Sequence, residues 1–553
     1  MVLNSHSGIS ITTMCSDTAN RGMTAAADIV FLDGEVHTLE RPDERYEAIA
    51  VRDGQIVRCG STYDIEFLIG TDTTVVHLDG QVVLPGFIDA HTHLEIVGRR
   101  LVHADLAGAQ SADACLQRLR DRAAEIASDE WVLGFGYDES AWTGSSEKTY
   151  LTRAALDTVS ETQPVVAVRE DLHVAGINSI AFDQLDGELP RSDVRTDASG
   201  TPTGVIVEDA LAAVLAAVAP DQDEMHRLLQ AAQTEANKRG VTGVHDMVRQ
   251  SEKPQAYHRL ARHDQLTIRV RLNYWAEFFE SLQTVGLQTN DGSSLIRVGA
   301  IKTYTDGSIG ARTAQVSGGY ADTDTDTDTN TDTDVDTNHT GTWIRDPDAL
   351  TDLVMKADAA GFQIAAHAIG DVAIDAVIDA FSNCSNPHER RHRIEHAELA
   401  SPTAIEQLAE LGVVASMQPN FLRWDDADGL YDTRLGVDRP PTNRFATFQD
   451  ADVPLAFGSD CMPLDPLTGV QHAVTAPNES QQLDVTTALR AYTHGAAYAG
   501  FADDVRGVLK QGAHADLVVL EKSPWMNDSI DDIEVTVTVV DGEIVFDTAG
   551  IYN

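Results

Sequence analysis

The chain has 553 residues, of which 42% are hydrophobic, and its 87 acidic and 40 basic residues give a formal net charge of −47. A chain of this length is longer than one hydrophobic core normally accommodates, which predicts a large domain with an accessory domain. The charge repels nucleic acid and anionic membranes, which excludes both as partners at low salt. An acidic excess with few lysines is also typical of proteins from extreme halophiles, because concentrated salt screens the self-repulsion.

Residues 1–26 are polar and rich in Ser and Thr, which predicts a flexible tail. They lack the basic start and apolar stretch of a secretory signal, and no apolar run in the chain approaches the roughly 18 residues of a membrane span. The cysteines show no CxxC spacing, so we expect neither a disulfide framework nor a thiolate zinc site, and we expect a reducing, cytoplasmic location. They are Cys15, Cys59, Cys115, Cys384 and Cys461.

The two ends of the chain are rich in β-forming residues. The segments "DIVFLDGEVHTLE" and "AIAVRDGQIVRCG" near the start, and "ADLVVLEK" and "VTVTVVDGEIVF" near the end, contain apolar runs and Asp-Gly turns of the hairpin type. We therefore expect residues 27–84 and 505–553 to pair into one composite β-sandwich.

Residues 85–504 alternate apolar strands with helical segments. "DPDALTDLVMKADAAG" and "SPTAIEQLAELG" open with Asp or Ser-Pro and close on Gly, as capped helices do. Repeated strand–helix units predict an α/β fold, a (β/α)8 barrel of the TIM type, in which functional residues meet at the carboxyl ends of the strands. The stretch from about 104 to 237 exceeds one repeat and predicts an insertion that caps the barrel mouth.

Several imidazoles and one carboxylate stand at predicted strand ends. In "FIDAHTHLE", His91 and His93 lie two residues apart and point to the same side of a strand. Three later strands end with His367 in "IAAHAIGD", His396 in "RIEHAEL" and Asp460 in "AFGSD". Four histidines and an aspartate suit zinc or a similar cation and exceed the three protein ligands of a minimal catalytic site, so two metals are expected.

Lys302 lies within the apolar strand "GAIKTYTDGS", where burial of its ammonium group needs a partner. One interpretation is that it snorkels or pairs with an acid such as Asp306. The other is that its neutral amine takes up carbon dioxide, giving a carbamate whose two oxygens bridge two cations.

The segment 321–338 alternates Asp and Thr and has no apolar face to bury, which predicts a solvated, disordered loop. A calcium loop is the alternative, but an EF-hand requires Gly at its sixth position and Glu at its twelfth. Counted from Asp322, those positions hold Thr327 and Thr333.

The order of these residues resembles that of the amidohydrolase superfamily. The motifs "PGFIDAHTHL", "GAIKTYTDGSIGARTA", "AAHAIGDVAI", "RHRIEHAEL" and "LAFGSDCMPLDPL" resemble amidohydrolase family 3, the group that includes N-substituted formamide deformylase. The resemblance implies a (β/α)8 barrel with a terminal β-sandwich. It also implies two divalent metals, zinc or else manganese, iron or cobalt, with carboxylated Lys302 as the bridging ligand. His91, His93 and Asp460 would hold one metal, and His367 and His396 the other.

The same resemblance implies that a metal-activated hydroxide hydrolyses a non-peptide carbon–nitrogen bond of an amide, N-acyl or N-formyl compound. Asp460 would accept the proton of the hydroxide and return it to the leaving nitrogen. His173, in "REDLHVAGINS", matches a family motif in which Gly usually stands at Leu172, and would donate to the developing oxyanion. His245 and Arg312 are weaker candidates for substrate binding, since a structural role fits both.

Two other functions are compatible with this kind of fold. A mononuclear deaminase of the same superfamily would need an acidic H-x-x-E helix, whereas "HAIGD" lacks one. A non-catalytic protein would be expected to have lost ligands, and all six positions are filled. We expect a small amide-type substrate, and a homodimer is one expectation for a subunit number that the sequence leaves open.

Overall fold

The computed structural model describes residues 26–142, 149–185, 187–322 and 340–548. Its central sheet has eight parallel strands, and strands that follow one another along the chain are neighbours in the sheet. Labelled β1 to β8, they are Phe87–Thr92, Val241–Val248, Arg269–Trp275, Ile296–Tyr304, Ile364–Ala368, Arg393–His396, Val414–Met417 and Leu455–Phe457.

The last strand returns to the first. Beyond β8, the backbone N–H of Asp460 donates to the carbonyl of His91 at 2.8 Å, and the N–H of Ser459 donates to the Asp89 carboxylate at 3.0 Å. These bonds bring the end of β8 beside β1 and nearly close the sheet into a barrel. The predicted TIM-type barrel with an additional β domain is therefore confirmed.

Helices cover the outside of the barrel, and their ends follow the sequence signals. Asp346 caps the helix that begins at Pro347 by accepting from two backbone N–H groups. Ser401 caps the helix that begins at Pro402, and Gly412 ends it at φ 64°, so both capped helices are confirmed. The main covering helices are Leu94–Val102, Gln222–Lys238, Glu252–Arg262, Phe279–Thr284, Pro347–Ala359, Asp371–Ser382, Pro402–Leu411, Phe445–Asp450 and Pro466–Val474.

Strands from both chain ends form two further sheets that pack on each other. Leu517–Leu520 pairs antiparallel with Val82–Pro85, so the end of the chain joins a sheet begun by its start. Apolar side chains of the two sheets share one core, which includes Phe31 and Val519. The first sheet holds Ile29–Leu32, Ala48–Arg52, Gln55–Gly60 and Thr74–His77; the second holds Glu35–His37, Arg45–Tyr46, Val82–Pro85, Leu517–Leu520, Val535–Val540 and Glu543–Asp547.

The Asp-Gly pairs differ in what they connect. At 53–54 and 541–542 they join antiparallel neighbours, and the predicted hairpins are confirmed. The expected hairpin at 33–34 is wrong, because the strands on either side of that turn enter different sheets. At Gly34 the chain crosses from one sheet to the other beside Leu78, and a Cβ at this position would come within 2.4 Å of the Leu78 side chain.

Between β1 and β2 the chain builds a separate mixed sheet. Apolar clusters lie on its two sides, one around Phe135 and one around Leu119. The sheet carries Arg169, Asp171 and His173 to the carboxyl end of the barrel, where they line a cleft. Its strands are Ala104–Asp105, Val132–Tyr137, Val165–Arg169, Val174–Ile177, Val194–Thr196 and Pro202–Val207, and its helices are Ala112–Glu125, Arg153–Leu156, Ser179–Leu185 and Glu208–Ala217.

The acidic segment belongs largely to the part of the chain outside the described residues. Ala321 and Asp322 are described, and the Asp322 carboxylate accepts from Arg312 at 2.9 and 2.7 Å and from Arg434. The expected solvated loop and its calcium alternative concern residues from 323 onward and lie outside the described residues. Among the described residues, no helix has both the length and the apolar character that crossing a bilayer requires.

Candidate metal centre

The carboxyl ends of the barrel strands bring the six predicted ligands together. Each side chain stands at or just beyond the end of its strand, or inside β4, and five of them belong to buried residues. Parallel strands share one edge, so residues far apart in the chain meet at this end of the barrel. The six are His91, His93, Lys302, His367, His396 and Asp460.

Three of these side chains form a first cluster. The Nε2 atoms of His91 and His93 lie 3.7 and 3.4 Å from Oδ1 of Asp460. One ligand atom from each of the three lies within 4.8 Å of the others, which is close enough for one cation to contact all three. Imidazole nitrogens with one carboxylate oxygen suit zinc and its neighbours in the first transition row.

The remaining two histidines form a second cluster next to the first. The rings of His367 and His396 are 4.5 Å apart between centroids, and His396 lies 4.9 Å from the ring of His91. Nε2 of His367 donates to the carbonyl of Gly307 at 3.0 Å, so the Nδ1 atom of the neutral ring keeps its lone pair.

Lys302 is fully buried on β4 between these clusters. Its Nζ lies 4.8 Å from the centroid of the Tyr304 ring and has no hydrogen-bond partner among the described residues. The predicted partner Asp306 accepts instead from the backbone N–H groups of Gln315, Ile369 and Gly370. The pairing of Lys302 with Asp306 is therefore wrong.

Unpartnered polar atoms test whether this site fits metal ions. A buried polar atom without a partner is costly, and proteins rarely keep one without a reason. Five of the six candidates contribute such an atom to the same small volume, and together they form the nitrogen-and-oxygen donor set that divalent cations bind. The atoms are His91 Nε2, Lys302 Nζ, His367 Nδ1, His396 Nδ1 and Asp460 Oδ1.

A buried acid that the sequence did not single out fixes the orientation of His91. Glu395 Oε2 accepts from Nδ1 of His91 at 2.6 Å, which leaves the Nε2 lone pair facing Asp460. Glu395 in turn accepts from Arg393 at 2.7 and 3.0 Å. Burial alone would raise the pKa of Glu395, but Arg393 and His91 hold that pKa well below its usual range, so the carboxylate stays ionised.

His173 lines the cleft on the insertion side. Its Nδ1 donates to the Glu208 carboxylate at 3.0 Å, and Thr313 donates to the same carboxylate at 2.7 Å. Burial lowers the pKa of His173, but the neighbouring Glu208 carboxylate outweighs burial and raises that pKa to about 9. The imidazole is therefore protonated at neutral pH. Nε2 can then donate toward the cleft.

Leu172, which stands before His173 where the family motif usually has Gly, keeps the backbone conformation that Gly would adopt. It adopts φ 60°, the left-handed conformation that glycine takes at little cost and other residues at roughly 1–2 kcal/mol. His396 and Asp460 also have positive φ, at 73° and 49°. Three residues of the candidate site thus have a left-handed backbone, as do other residues along the chain.

The structure does not bring His245 or Arg312 to the cleft. Nδ1 of His245 accepts from Arg393 at 2.8 Å deeper in the barrel. Arg312 pairs with Asp322. Within the described residues, neither side chain lines the cleft that holds the six candidates.

The cleft spans about 560 Å³, including space open to solvent, and contains groups that sequence reasoning missed. The Arg249 guanidinium lies over the Trp275 ring at 4.4 Å and close to Tyr304 at 5.8 Å. Phe421 and Trp424 supply an apolar wall. These residues follow predicted strands or loops without a motif of their own, so their place in the cleft depends on the fold.

A second group of possible ligands, Asp358, Cys384 and His392, lies elsewhere on the barrel. Nδ1 of His392 accepts from the backbone N–H of Ile364 at 3.1 Å, so the neutral ring carries its proton on Nε2. That nitrogen lies 3.3 Å from Oδ1 of Asp358 without forming a hydrogen bond, so among the described residues the ring is held through Nδ1 alone. A ring bound in this way has no lone pair for a cation, which argues against a metal there.

Comparisons with known proteins agree with this architecture. A profile described as "Amidohydrolase family" matches residues 74–546. The YtcJ protein of Bacillus subtilis, whose name places it among the amidohydrolases, is 30% identical over 93% of this chain and 98% of its own length. The N-substituted formamide deformylase of Arthrobacter pascens is 24% identical over 96% of this chain and 100% of its own. The crystal structure of an uncharacterised metal-dependent hydrolase from Pyrococcus horikoshii superposes with a TM-score of 0.72 at 27% identity, covering 91% of this chain and 99% of that one.

Proposed function

Since the chain belongs to the amidohydrolase family and is a hydrolase of carbon–nitrogen bonds other than peptide bonds, we propose that it cleaves a small amide with the help of two divalent metal ions. The observation that carries the proposal is the convergence of five unpartnered buried donor atoms beneath one cleft. The cleft is lined by both polar and aromatic groups, as the sites of small molecules commonly are.

We assign the ligands by position in the two clusters. His91, His93 and Asp460 would hold one ion, His367 and His396 would hold the other, and carboxylated Lys302 would bridge them. Zinc fits the donor set, as do manganese, iron and cobalt. Ions bound there would polarise the scissile carbonyl and lower the pKa of the attacking water toward about 7.

The chain's own groups supply the proton transfers and the orientation. Asp460 takes the proton of the attacking water on the carboxylate oxygen that does not hold the ion, and returns it to the leaving nitrogen. His173 donates from Nε2 to the oxygen on which negative charge develops. Glu208 holds His173 in place and keeps it protonated, and Glu395 keeps Nε2 of His91 directed at the centre.

The substrate class follows from the relatives and the cleft. The Arthrobacter relative is named for hydrolysis of N-substituted formamides, so N-formyl and other N-acyl compounds are the first to test. Mass spectrometry of protein purified without chelators should find two metal equivalents per chain, and a panel of N-formyl and N-acyl compounds should yield turnover. One equivalent would favour a mononuclear enzyme, and no turnover with any member of the panel would contradict the proposed substrate class.

His173→Asn is expected to lower kcat by about 10²–10³-fold, because it removes a preorganised donor to the developing oxyanion. Metal content and KM should stay near the wild-type values, and both are measured on the same preparation. His103→Asn is the matched control, since His103 also pairs with a glutamate, Glu224 at 3.4 Å, but lies outside the cleft. Equal activity of the two variants would remove His173 from the mechanism.

We also propose that the protein works in a cytoplasm of high salt. The four described cysteines, Cys59, Cys115, Cys384 and Cys461, are free thiols, as a reducing compartment permits.

The net charge of −47 opposes folding by self-repulsion. The melting temperature should therefore rise between 0.1 M and 1 M KCl, as the Debye length falls from about 10 to about 3 Å. A non-ionic osmolyte at matched osmolality serves as the control, and an unchanged melting temperature in KCl would contradict the proposal.

A further inference from the structure

A second cavity lies at the amino-terminal end of the barrel, opposite the candidate metal centre. It spans about 500 Å³, including space open to solvent, between residues of β2, β3 and β4 and the segment 497–514. Six of its fifteen lining residues are arginine or histidine, and none of the described residues that line it is acidic. The six are His245, Arg269, Arg271, Arg297, Arg506 and His514.

Strand register explains why the arginines gather here. Arg269 and Arg271 are two residues apart on β3 and therefore point to the same side. Across the neighbouring strands, Arg271 lies opposite Arg297 on β4 and opposite His245 on β2. Gly243 on β2 leaves space for the fourth arginine, because a Cβ there would lie 2.3 Å from Nη2 of Arg506.

The carboxylates near the cavity balance part of this charge. Asp516 accepts from Arg269 at 2.8 and 3.1 Å and from Arg506 at 3.0 Å, and Asp541 accepts from Arg269 at 2.7 Å. Neither Arg271 nor Arg297 pairs with a carboxylate in the described parts of the chain. Four guanidinium groups thus face two carboxylates, which leaves a positive cavity in a protein of strongly negative net charge.

Two residues that line this cavity carry buried donor atoms without a hydrogen-bond partner in the described part of the chain. Arg271 is 5% exposed, and its two terminal nitrogens donate to the carbonyl of Gly500 at 2.6 Å and to Asn290 at 2.7 Å. Its Nε has no partner among the described residues, and neither does Nη2 of Arg506. Because Nδ1 of His245 accepts from Arg393, the proton of the neutral ring sits on Nε2, beside Gly500 at the cavity wall.

Burial makes this arrangement costly without a counter-charge. Burial, with Arg393 and Arg297 nearby, lowers the pKa of Arg271 to about 9. Burial likewise lowers the pKa of Arg506 to about 10, although Asp516 opposes the shift. A buried charge that is unpaired among the described residues, as in Arg271, or only partly balanced, as in Arg506 beside Asp516, destabilises a protein, so a bound anion would stabilise both groups.

We propose that this cavity binds a tetrahedral oxyanion of the phosphate or sulfate class. Arg271, Arg506 and His245 all line this cavity and each has an N–H that can bond an oxygen of the anion, and charge-assisted bonds of this kind are short and strong. Guanidinium groups match the geometry of oxyanions better than that of a spherical ion. The site requires neither the metal ions nor the catalytic activity proposed above.

Thermal unfolding of the metal-loaded protein against inorganic phosphate tests the site. Ionic strength is held constant with KCl, so that general screening does not change. We expect a saturable rise in melting temperature, which ligand binding to the folded state alone produces. Sodium sulfate should give a similar rise, and glycerol phosphate shows whether a phosphate ester is also accepted. If KCl alone reproduces the rise at equal ionic strength, the site is not selective for oxyanions and the proposal is overturned.

Variants distinguish this cavity from the metal centre. Arg297→Gln and Arg506→Lys should weaken the apparent phosphate affinity at least tenfold; Arg297 is only partly buried, so its replacement leaves the core intact. Arg259→Gln, which removes an arginine that pairs with Asp223 on the outer surface, is the matched control and should bind as the wild type does. Lys302→Ala should also keep the phosphate effect. A rise that persists in both cavity variants, or that is lost in Lys302→Ala, would place the phosphate elsewhere and overturn the proposal.

Discussion

Lys302→Ala is expected to abolish hydrolysis and to lower the metal content from two equivalents per chain to one or none. The side chain is fully buried, and its Nζ has no partner among the described residues although two clusters of candidate ligands surround it. A bridging ligand holds both ions, so its loss should exceed the about 10²–10⁴-fold cost of losing a general base alone. Mass spectrometry for metal and the rate on the best N-acyl substrate measure the two effects.

Lys253→Met is the matched control for that variant. Lys253 is the other large buried lysine in the described core, but it donates to the carbonyl of Met247 at 2.7 Å and pairs with Asp246 and Glu95. Its loss should lower the melting temperature and leave the metal content at two equivalents. In Lys302→Ala, added short-chain carboxylates should restore part of the activity by occupying the vacated space. A metal-replete, active Lys302→Ala enzyme would refute the bridging carbamate.

The positions of the candidate ligands were predictable because they follow local rules. His91 lies in β1 and His93 directly follows its last residue, Thr92, two positions further on, and His367 and His396 each close an apolar run. Carboxyl ends of parallel strands meet at one edge, so the repeat of strand and helix predicts convergence without knowledge of any contact. The barrel and the pairing of the two chain ends depend on the same kind of periodic signal.

The groups around the ligands could not be predicted in the same way. Glu395 contacts His91 across 304 residues of sequence, and nothing near either residue marks the pair. Glu395 and His396 are also neighbours on β6, where strict alternation would send them to opposite faces. The positive φ of His396 ends the strand and turns its ring toward the centre. Such backbone strain is a property of the folded structure and leaves no reliable trace in the sequence.

His245 illustrates a limit of the strand-end rule. It lies within the eight-residue strand β2, and its ring faces Arg393 instead of the cleft. Burial and the nearby arginines hold its pKa well below the usual range, as expected for a neutral acceptor in the barrel interior. Sequence position alone does not tell whether a strand residue lies in the barrel interior, as His245 does, or at the barrel mouth. That distinction requires the register between neighbouring strands.

Asp460→Asn should separate metal binding from proton transfer at the same centre. The carboxylate lies within 3.7 Å of both His91 and His93, and its Oδ1 has no hydrogen-bond partner among the described residues. An asparagine keeps an oxygen that can contact a cation, but it cannot accept a proton and return it. We expect kcat to fall by about 10²–10⁴-fold, the contribution typical of a general acid–base group, while at least one metal equivalent is retained.

The control for this variant is Asp89→Asn, another buried carboxylate beside the same strand. Asp89 accepts from the backbone N–H groups of His91 and Ser459 through Oδ1, and an asparagine can accept the same two bonds. Its turnover should therefore stay within a few-fold of the wild type, even though it lies in the same buried region as Asp460. If both variants lost turnover equally, the loss would reflect disturbed packing around β1. If Asp460→Asn kept near-normal kinetics with its metals bound, proton transfer would have to pass through another group, and of the cleft residues His173 would be the first to test.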